Sequence, residues 1–359
     1  MRLAVVRRRF DPCGGAELYL ARLLGALQEL GWRPEVITES WSESAGLRVH
    51  SVEVRGGRAA SFVGFSAGAE QVIKREGFDG VLSLERGVRA DVYRAGDGLH
   101  AEWLGNLRRW GRWWKRPFVG WGAFHRAMCA ADLRSLDPAV TKRVIVNSEM
   151  VRREIHQHAS FPDERIHLVR NGLEVDRFRG GDRRRFREQW GVSEGQCVLL
   201  FAGSGWERKG LRWLRRSLFG LPAGQFRLVV AGRGRVPSGV GDDELYVGAL
   251  RRDDMPDAYA AADMMVFPTL YDPSANACAE ALAAGLPVIT TRQNGAAEWV
   301  EEGVNGSVVE SPAETGALVA AIRRWGDRRG VRPVPVSGDL SLERNARETV
   351  EVLKLALGE

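Results

Sequence analysis

A run of apolar residues, a glycine turn and a helix recurs along this chain, and that alternation restricts it to folds built on parallel sheets. Residues 3–6 are a short apolar run, followed by Gly14-Gly15. Residues 16–30 then place Leu20, Leu23, Leu24 and Leu27 at helical spacing, and Gly31 stops them. Residues 34–38 read as the next strand. Two strands joined across a helix run parallel. Further strands are expected at 49–54, 80–84, 92–95 and 143–147. In the second half, strand 197–202 ends in Gly203-Ser-Gly205 and is followed by a helix carrying Leu211, Leu214 and Leu218. Strand 226–231 ends in Gly232-Arg-Gly234, strand 264–268 leads into helix 275–284, and strand 286–290 follows. Helices are also expected at 255–262, 312–325 and 341–357. The pattern predicts two doubly wound α/β domains, 1–165 and 166–338, with a last helix in 339–359 packing back toward the first.

The 359 residues are 44% hydrophobic and 27% charged, an ordinary balance for a globular chain with full cores. No apolar run approaches the roughly 18–20 residues that span a bilayer. The opening apolar run is interrupted too soon by Arg7-Arg8-Arg9 for a signal peptide, so a cytoplasmic location is expected. Four cysteines without a CxxC pair and six histidines without a ligand spacing make a metal-free mechanism the expectation. A net charge of +6 suits an acidic partner, without saying which.

Three places carry chemistry. Gly14-Gly15 lies between the first strand and helix, where glycines admit a phosphate or sugar to a helix N-terminus; a tight turn with no ligand is the plainer reading. Gly203 to Gly210 is the same kind of place with Arg208 and Lys209 added. A guanidinium fork and a mobile ammonium suit a leaving diphosphate, although such pairs are also common on surfaces. Asp272 and Glu280 have seven residues between them, the first in a loop after a strand and the second in the next helix. Carboxylates at the C-terminal ends of parallel strands suit sugar hydroxyls, and the amides of Ala275 and Asn276 suit a phosphate.

Taken in order, residues 261–271, 272–280, 281–290, Asn294-Gly295 with Glu298, and Gly303 to Gly306 resemble the retaining glycosyltransferases of family 4. The segment from Asn171-Gly172 to Phe178 and the turns at Gly14-Gly15 and Gly232-Arg-Gly234 fit the same family. The resemblance is dense from 165 to 310 and thin from 40 to 140. It implies a GT-B fold, two Rossmann-like doubly wound domains facing a central cleft, with a nucleotide sugar as donor substrate and no metal required. Arg208 and Lys209 would bind the donor diphosphate, with Gly14, Gly15, Asn171, Gly203, Gly232, Arg233, Ala275 and Asn276 around the nucleotide. Glu280 would hold the ribose, and Asp272 would stand where the family has a Glu against the transferred sugar. Ser204 stands where an Arg is frequent. Within the family, residues 93–102 and 201–210 resemble the bacterial lipopolysaccharide core glucosyltransferases. That narrower likeness implies UDP-glucose and an inner-core heptose or similar lipid-linked acceptor. Asp97 is expected to orient the acceptor or take its proton, with His100 as a second contact; a turn aspartate before a helix start is the plainer reading.

The most unusual stretch is 104–126. It sets Arg108, Arg109, Arg112, Lys115, Arg116 and Arg126 among Trp103, Trp110, Trp113, Trp114, Phe118, Trp121 and Phe124, with no acid after Glu102. Tryptophan favours the headgroup zone and cations favour anionic lipid, so peripheral binding to the inner leaflet is expected. A buried aromatic cluster ringed by solvated arginines is the competing reading. Cations with aromatics also serve nucleic acid, but no RNA-binding signature accompanies them. A nucleotide-sugar epimerase, a degenerate sugar-nucleotide sensor, and a family 4 transferase with a GDP-mannose or UDP-N-acetylhexosamine donor are the alternatives.

Overall fold

The computed structural model describes residues 1–9, 15–41, 47–336 and 340–358, without the side chains of residues 15–19, 21 and 22. The chain forms two compact units. The first comprises residues 1–105, 117–172 and 341–359, the second residues 106–116 and 173–340.

The first unit holds seven parallel strands: β1 (Arg2–Val6), β2 (Arg33–Thr38), β3 (Arg48–Ser51), β4 (Gly80–Ser83), β5 (Ala90–Arg94), β6 (Thr141–Val146) and β7 (Ile166–Leu168). Their order is β3-β2-β1-β4-β5-β6-β7. The chain winds outward one way from β1 and the other way from β4, so the switch point lies between these two. Helices α1 (Gly15–Glu29), α2 (Arg58–Glu76), α3 (His100–Trp110), α4 (Ala123–Ser135) and α5 (Glu149–His158) belong to this half of the sequence.

The second unit holds β8 (Cys197–Ala202), β9 (Phe226–Ala231), β10 (Glu244–Gly248), β11 (Met264–Phe267), β12 (Val288–Thr291) and β13 (Gly306–Val309), all parallel, in the order β10-β9-β8-β11-β12-β13. Its helices are α6 (Arg183–Gln189), α7 (Leu211–Leu218), α8 (Met255–Ala261), α9 (Asn276–Ala283) and α10 (Thr315–Asp327). Every residue of β8, β11 and β12 is buried, as helices on both faces of a parallel sheet require. The switch point lies between β8 and β11. The last helix, α11 (Leu342–Leu357), returns to the first unit. There Val350, Leu353 and Ala356 join the core of Leu3, Leu23, Leu27 and Ile145.

Two expectations are corrected. The first boundary falls at Gly172/Leu173 rather than 165/166, because Ile166–Leu168 pairs with β6 as the outermost strand of the first sheet. Residues 106–116 group with the second unit although they lie in the first half of the sequence. Among the described residues no helix is long and apolar enough to cross a membrane.

Candidate functional site

The ends of β8, β9 and β11 assemble the second unit's candidate site. Ala202 and Ala231 are register partners, so Gly203 and Gly232 leave the sheet side by side. A Cβ on Gly232, which sits at φ 136°, would lie 2.2 Å from the Gly203 carbonyl oxygen, so only glycine lets these two loops touch. The Ser204 hydroxyl accepts from the Arg233 amide at 3.0 Å and ties the loops together. Gly210 does the same toward β11: at φ 81°, a Cβ would meet the Pro268 carbonyl oxygen at 1.8 Å. The Arg208 carbonyl accepts from the Leu270 amide at 2.8 Å and the Thr269 hydroxyl at 3.0 Å. The loops after β8 and β11 are thus locked across the switch point, where open α/β sheets bind ligands.

This locking brings Arg208, Lys209 and Asp272 together. Arg208 stands 3.7 Å and Lys209 3.9 Å from Asp272 Oδ2. The Lys209 stem lies over Gly203, where a Cβ would come within 2.8 Å of its Nζ, and the ammonium sits 4.9 Å from the Phe267 ring centroid. Asp272 is held on both sides: its amide donates to Gln293 O and its carbonyl accepts from the Gly295 amide, each at 2.8 Å. Its side chain is 9% exposed, against 42% for Arg208 and 16% for Lys209. Two cations against one carboxylate leave the rim positive, a setting for a phosphate-bearing ligand.

Glu280 lies half-buried on the second turn of α9. Its Oε2 accepts from the Tyr259 hydroxyl at 2.7 Å. Burial pushes the Glu280 carboxyl above the ordinary range, while the Tyr259 hydrogen bond and the charges of Arg252, Lys209 and Arg177 pull it back. Sequence reading missed Tyr259; its signal was a tyrosine on the small, alanine-rich helix α8, where a buried hydroxyl needs a partner.

The expectation for Ala275 is corrected. Its amide donates to Asn294 Oδ1 at 3.3 Å, because Asn294 is buried and caps the following turn with the same oxygen. That amide is not turned to a phosphate. Asn276 opens α9, and Arg233 is exposed on its loop. Asn171 falls in the first unit, not at the start of the nucleotide domain, and its Oδ1 accepts from Arg94 at 2.8 Å. Gly14 lies outside the described residues; Gly15 opens α1.

In the first unit Asp97 is exposed on the loop after β5, and the Asn147 amide holds that loop at the Gly96 carbonyl at 2.9 Å. His100 is corrected as an acceptor contact. It is buried, its amide donates to Asp132 at 2.7 Å, and its Nε2 shares a hydrogen bond with His125 Nδ1 at 2.9 Å. Burial, then Arg86, His125 and Arg58, bring its pKa down to about 4. The beginning of α3 is thereby fastened to α4. Asp132 also pairs with buried Arg86 at 2.8 Å, and burial raises its carboxyl to about 6.

In the basic aromatic stretch, Trp110 is corrected as a surface contact. It is 8% exposed and its carbonyl accepts from Arg212 at 2.6 Å, so it is packed in protein. Beyond it, Trp113 is 74% exposed and Trp121 72%, with Trp114 and Phe118 also exposed. Arg108, Arg109, Arg112, Lys115 and Arg116 are exposed beside them. The short 3-10 turn Trp113–Phe118 buries none of its residues.

Among the described residues no group of three or more His, Cys, Asp or Glu is placed to hold a metal ion. Two family models match: "Glycosyltransferase Family 4" over residues 13–177 and "Glycosyl transferases group 1" over residues 196–327. An uncharacterized glycosyltransferase, MJ1607 of Methanocaldococcus jannaschii, is 27% identical over 60% of this chain and 60% of its own length. The chain thus spans less than two thirds of that relative. Lipopolysaccharide glucosyltransferase WaaG of Escherichia coli K12 is 23% identical over 88% of this chain and 87% of its own. A crystal structure of WaaG, a glycosyltransferase involved in lipopolysaccharide biosynthesis, covers 99% of this chain and 97% of its own at TM-score 0.76 and 21% identity. Anabaena Alr3699/HepE, solved in complex with UDP and glucose, covers 99% of both chains at TM-score 0.70 and 19% identity. Two parallel-sheet units, the site at the second switch point and the two family matches lead to one conclusion: the chain belongs to the family 4 glycosyltransferases and has the GT-B fold.

Proposed function

We propose that this chain transfers a hexose from UDP-glucose to a hydroxyl of a lipid-linked saccharide, an inner-core heptose or a similar glycolipid, with retention at the anomeric carbon and without a metal. The observation that carries this reading is the convergence of Arg208 and Lys209 on Asp272 beside the touching glycine loops, with Glu280 on the helix that follows. The cations would bind the donor diphosphate and stabilise it as its charge grows on leaving. Glu280 would accept from the ribose hydroxyls, Asp272 would face the transferred sugar, and Asp97 would orient the acceptor. The UDP complex of HepE and the activity named for WaaG support this donor and acceptor class.

The exposed Trp113, Trp114, Phe118 and Trp121 with their arginines support peripheral attachment to an anionic cytoplasmic leaflet, each nearby cation contributing about 1 kcal/mol. A panel of UDP-glucose, GDP-mannose, ADP-glucose and UDP-N-acetylglucosamine tests the donor. The sugar nucleotide that is bound raises the unfolding temperature by mass action. UDP-glucose is expected to give the largest rise. Conversion of donor to an epimer without acceptor would sink the transferase reading, and stabilisation by GDP-mannose alone would overturn the choice of donor.

A further inference from the structure

We infer that Tyr259 is a positioning residue for the donor: its hydroxyl fixes one oxygen of Glu280, so that the other is presented to the vicinal hydroxyls of the ribose. This rests on the reading of Glu280 as the ribose carboxylate. Tyr259 is fully buried on α8, among the largest such side chains of the second unit. A phenylalanine would fill that space without burying a hydroxyl, and a buried hydroxyl is unfavourable unless hydrogen-bonded. The bond it makes is to Glu280 Oε2 at 2.7 Å, shorter than its 3.4 Å approach to the Ala277 carbonyl. Glu280 Oε1 has no hydrogen-bond partner among the described residues. A glutamate has three rotatable bonds, and fixing one oxygen in advance removes the rotamer entropy that a ribose would otherwise have to restrain.

The tyrosine is itself held. The Phe178 ring meets it edge-on, centroids 5.9 Å apart, from the 3-10 turn Val175–Phe178. That turn ends the Asn-Gly-Leu-Glu-Val-Asp-Arg-Phe segment, which also carries Arg177 toward Glu280. A chain of contacts therefore runs from Phe178 through Tyr259 to Glu280. The charged groups facing Glu280 are Lys209 from the loop after β8, Arg252 before α8 and Arg177 on the 3-10 turn. Arg177 and Arg252 are both paired with Glu174, and Arg177 also with Asp253. Tyr259 is the group among these that donates a hydrogen bond to the carboxylate.

The test compares affinities for UDP and for 2′,3′-dideoxy-UDP, by calorimetry, in the wild-type chain and in Tyr259→Phe. The wild type is expected to prefer UDP by roughly tenfold or more, the size of a hydrogen bond to a charged group. Tyr259→Phe should shrink that preference at least about threefold while leaving dideoxy-UDP affinity unchanged. Its UDP preference should also fade at a higher pH on acidification, because a carboxylate that has lost a donor takes up a proton more readily. Phe178→Leu keeps the hydroxyl and loosens its support, so a smaller loss in the same direction is expected. An unchanged preference, or equal weakening of both ligands, would overturn the inference and leave the donor reading standing. A wild type that binds UDP and dideoxy-UDP equally would remove Glu280 from the ribose and the inference with it. Binding of neither would overturn the donor reading itself.

Discussion

Replacing Lys209 separates its charge from its packing. Its stem lies over Gly203, and its ammonium stands 3.9 Å from Asp272 and 4.9 Å from the Phe267 ring centroid, with 16% of the side chain exposed. At such a distance, and at the effective dielectric near a protein surface, two unit charges interact by about 4 kcal/mol. Only part of this acts on the rate, because the diphosphate is already charged before the bond breaks. Loss of one such donor at a developing anion costs about 2.7–4 kcal/mol, or roughly 10²–10³ in turnover. Lys209→Met keeps most of the stem and removes the charge; Lys209→Ala removes both. Arg208 remains 3.7 Å from Asp272 in either variant, so the carboxylate keeps a counter-charge and the fold survives. Turnover is to be followed as UDP release at saturating donor, and unfolding temperature in parallel. Both variants should lose at least about a hundredfold in turnover, the methionine variant with the smaller drop in stability. A folded Lys209→Met enzyme within threefold of wild type would show that the ammonium does not serve the leaving group.

Glu280→Gln should stabilise the ligand-free protein. A carboxyl whose folded pKa is raised binds its proton more tightly when folded, so stability falls as pH rises through that range. The variant should unfold a few degrees higher at pH 7.5, gain little at pH 4, and bind donor poorly, which thermal melts and calorimetry would read. His100→Gln should act at the other end of the scale. With the folded imidazole near 4 and the free one near 6.5, wild-type stability from this group is present above 6.5 and lost as pH falls toward 4, by at most about 3 kcal/mol. Chemical denaturation of wild type and variant should therefore diverge between those two pH values, and parallel curves would refute the assignment. A Trp113→Ala, Trp114→Ala double variant should bind vesicles containing anionic phospholipid several-fold more weakly in flotation, with donor affinity unchanged. Equal binding to anionic and neutral vesicles by the wild type would remove the electrostatic part of the membrane reading.

The central strands were legible because burial on both faces writes itself as an uninterrupted apolar run. Cys197–Ala202 and Phe226–Ala231 match expectation residue for residue, and their shared register explains why the glycines after them meet. Of the four edge strands, Arg48–Ser51 overlaps the expected 49–54 and was legible, and the other three were not. Ile166–Leu168, Glu244–Gly248 and Gly306–Val309 are short and partly polar, and pairing along one edge supplies what their composition does not signal. The site divides similarly. Arg208, Lys209 and Asp272 stand out because each is a charge next to a glycine turn or a strand end. The misplacements of Ala275, His100 and Trp110 have one cause. Each is the right residue type at the right spacing, but a polar group of each is taken by a partner distant in sequence: the Ala275 amide by Asn294, the His100 ring by His125 and the Trp110 carbonyl by Arg212.

The two departures from the family pattern bear on one another through these contacts. Where an arginine is frequent, Ser204 instead uses its hydroxyl to hold the Arg233 amide, so the charge is given up and the loops after β8 and β9 are joined. Arg208, later on the same loop, supplies a guanidinium 3.7 Å from Asp272. Asp272 is fixed by backbone hydrogen bonds on both sides and is one methylene shorter than glutamate, so its carboxylate stays back against both cations. A longer acid there would have to carry its charge past Arg208 and Lys209 into the space where the transferred sugar is proposed to lie. The shorter arm and Arg208 thus form one arrangement, and on the proposed reading donor selectivity would rest on how much room this retracted carboxylate leaves.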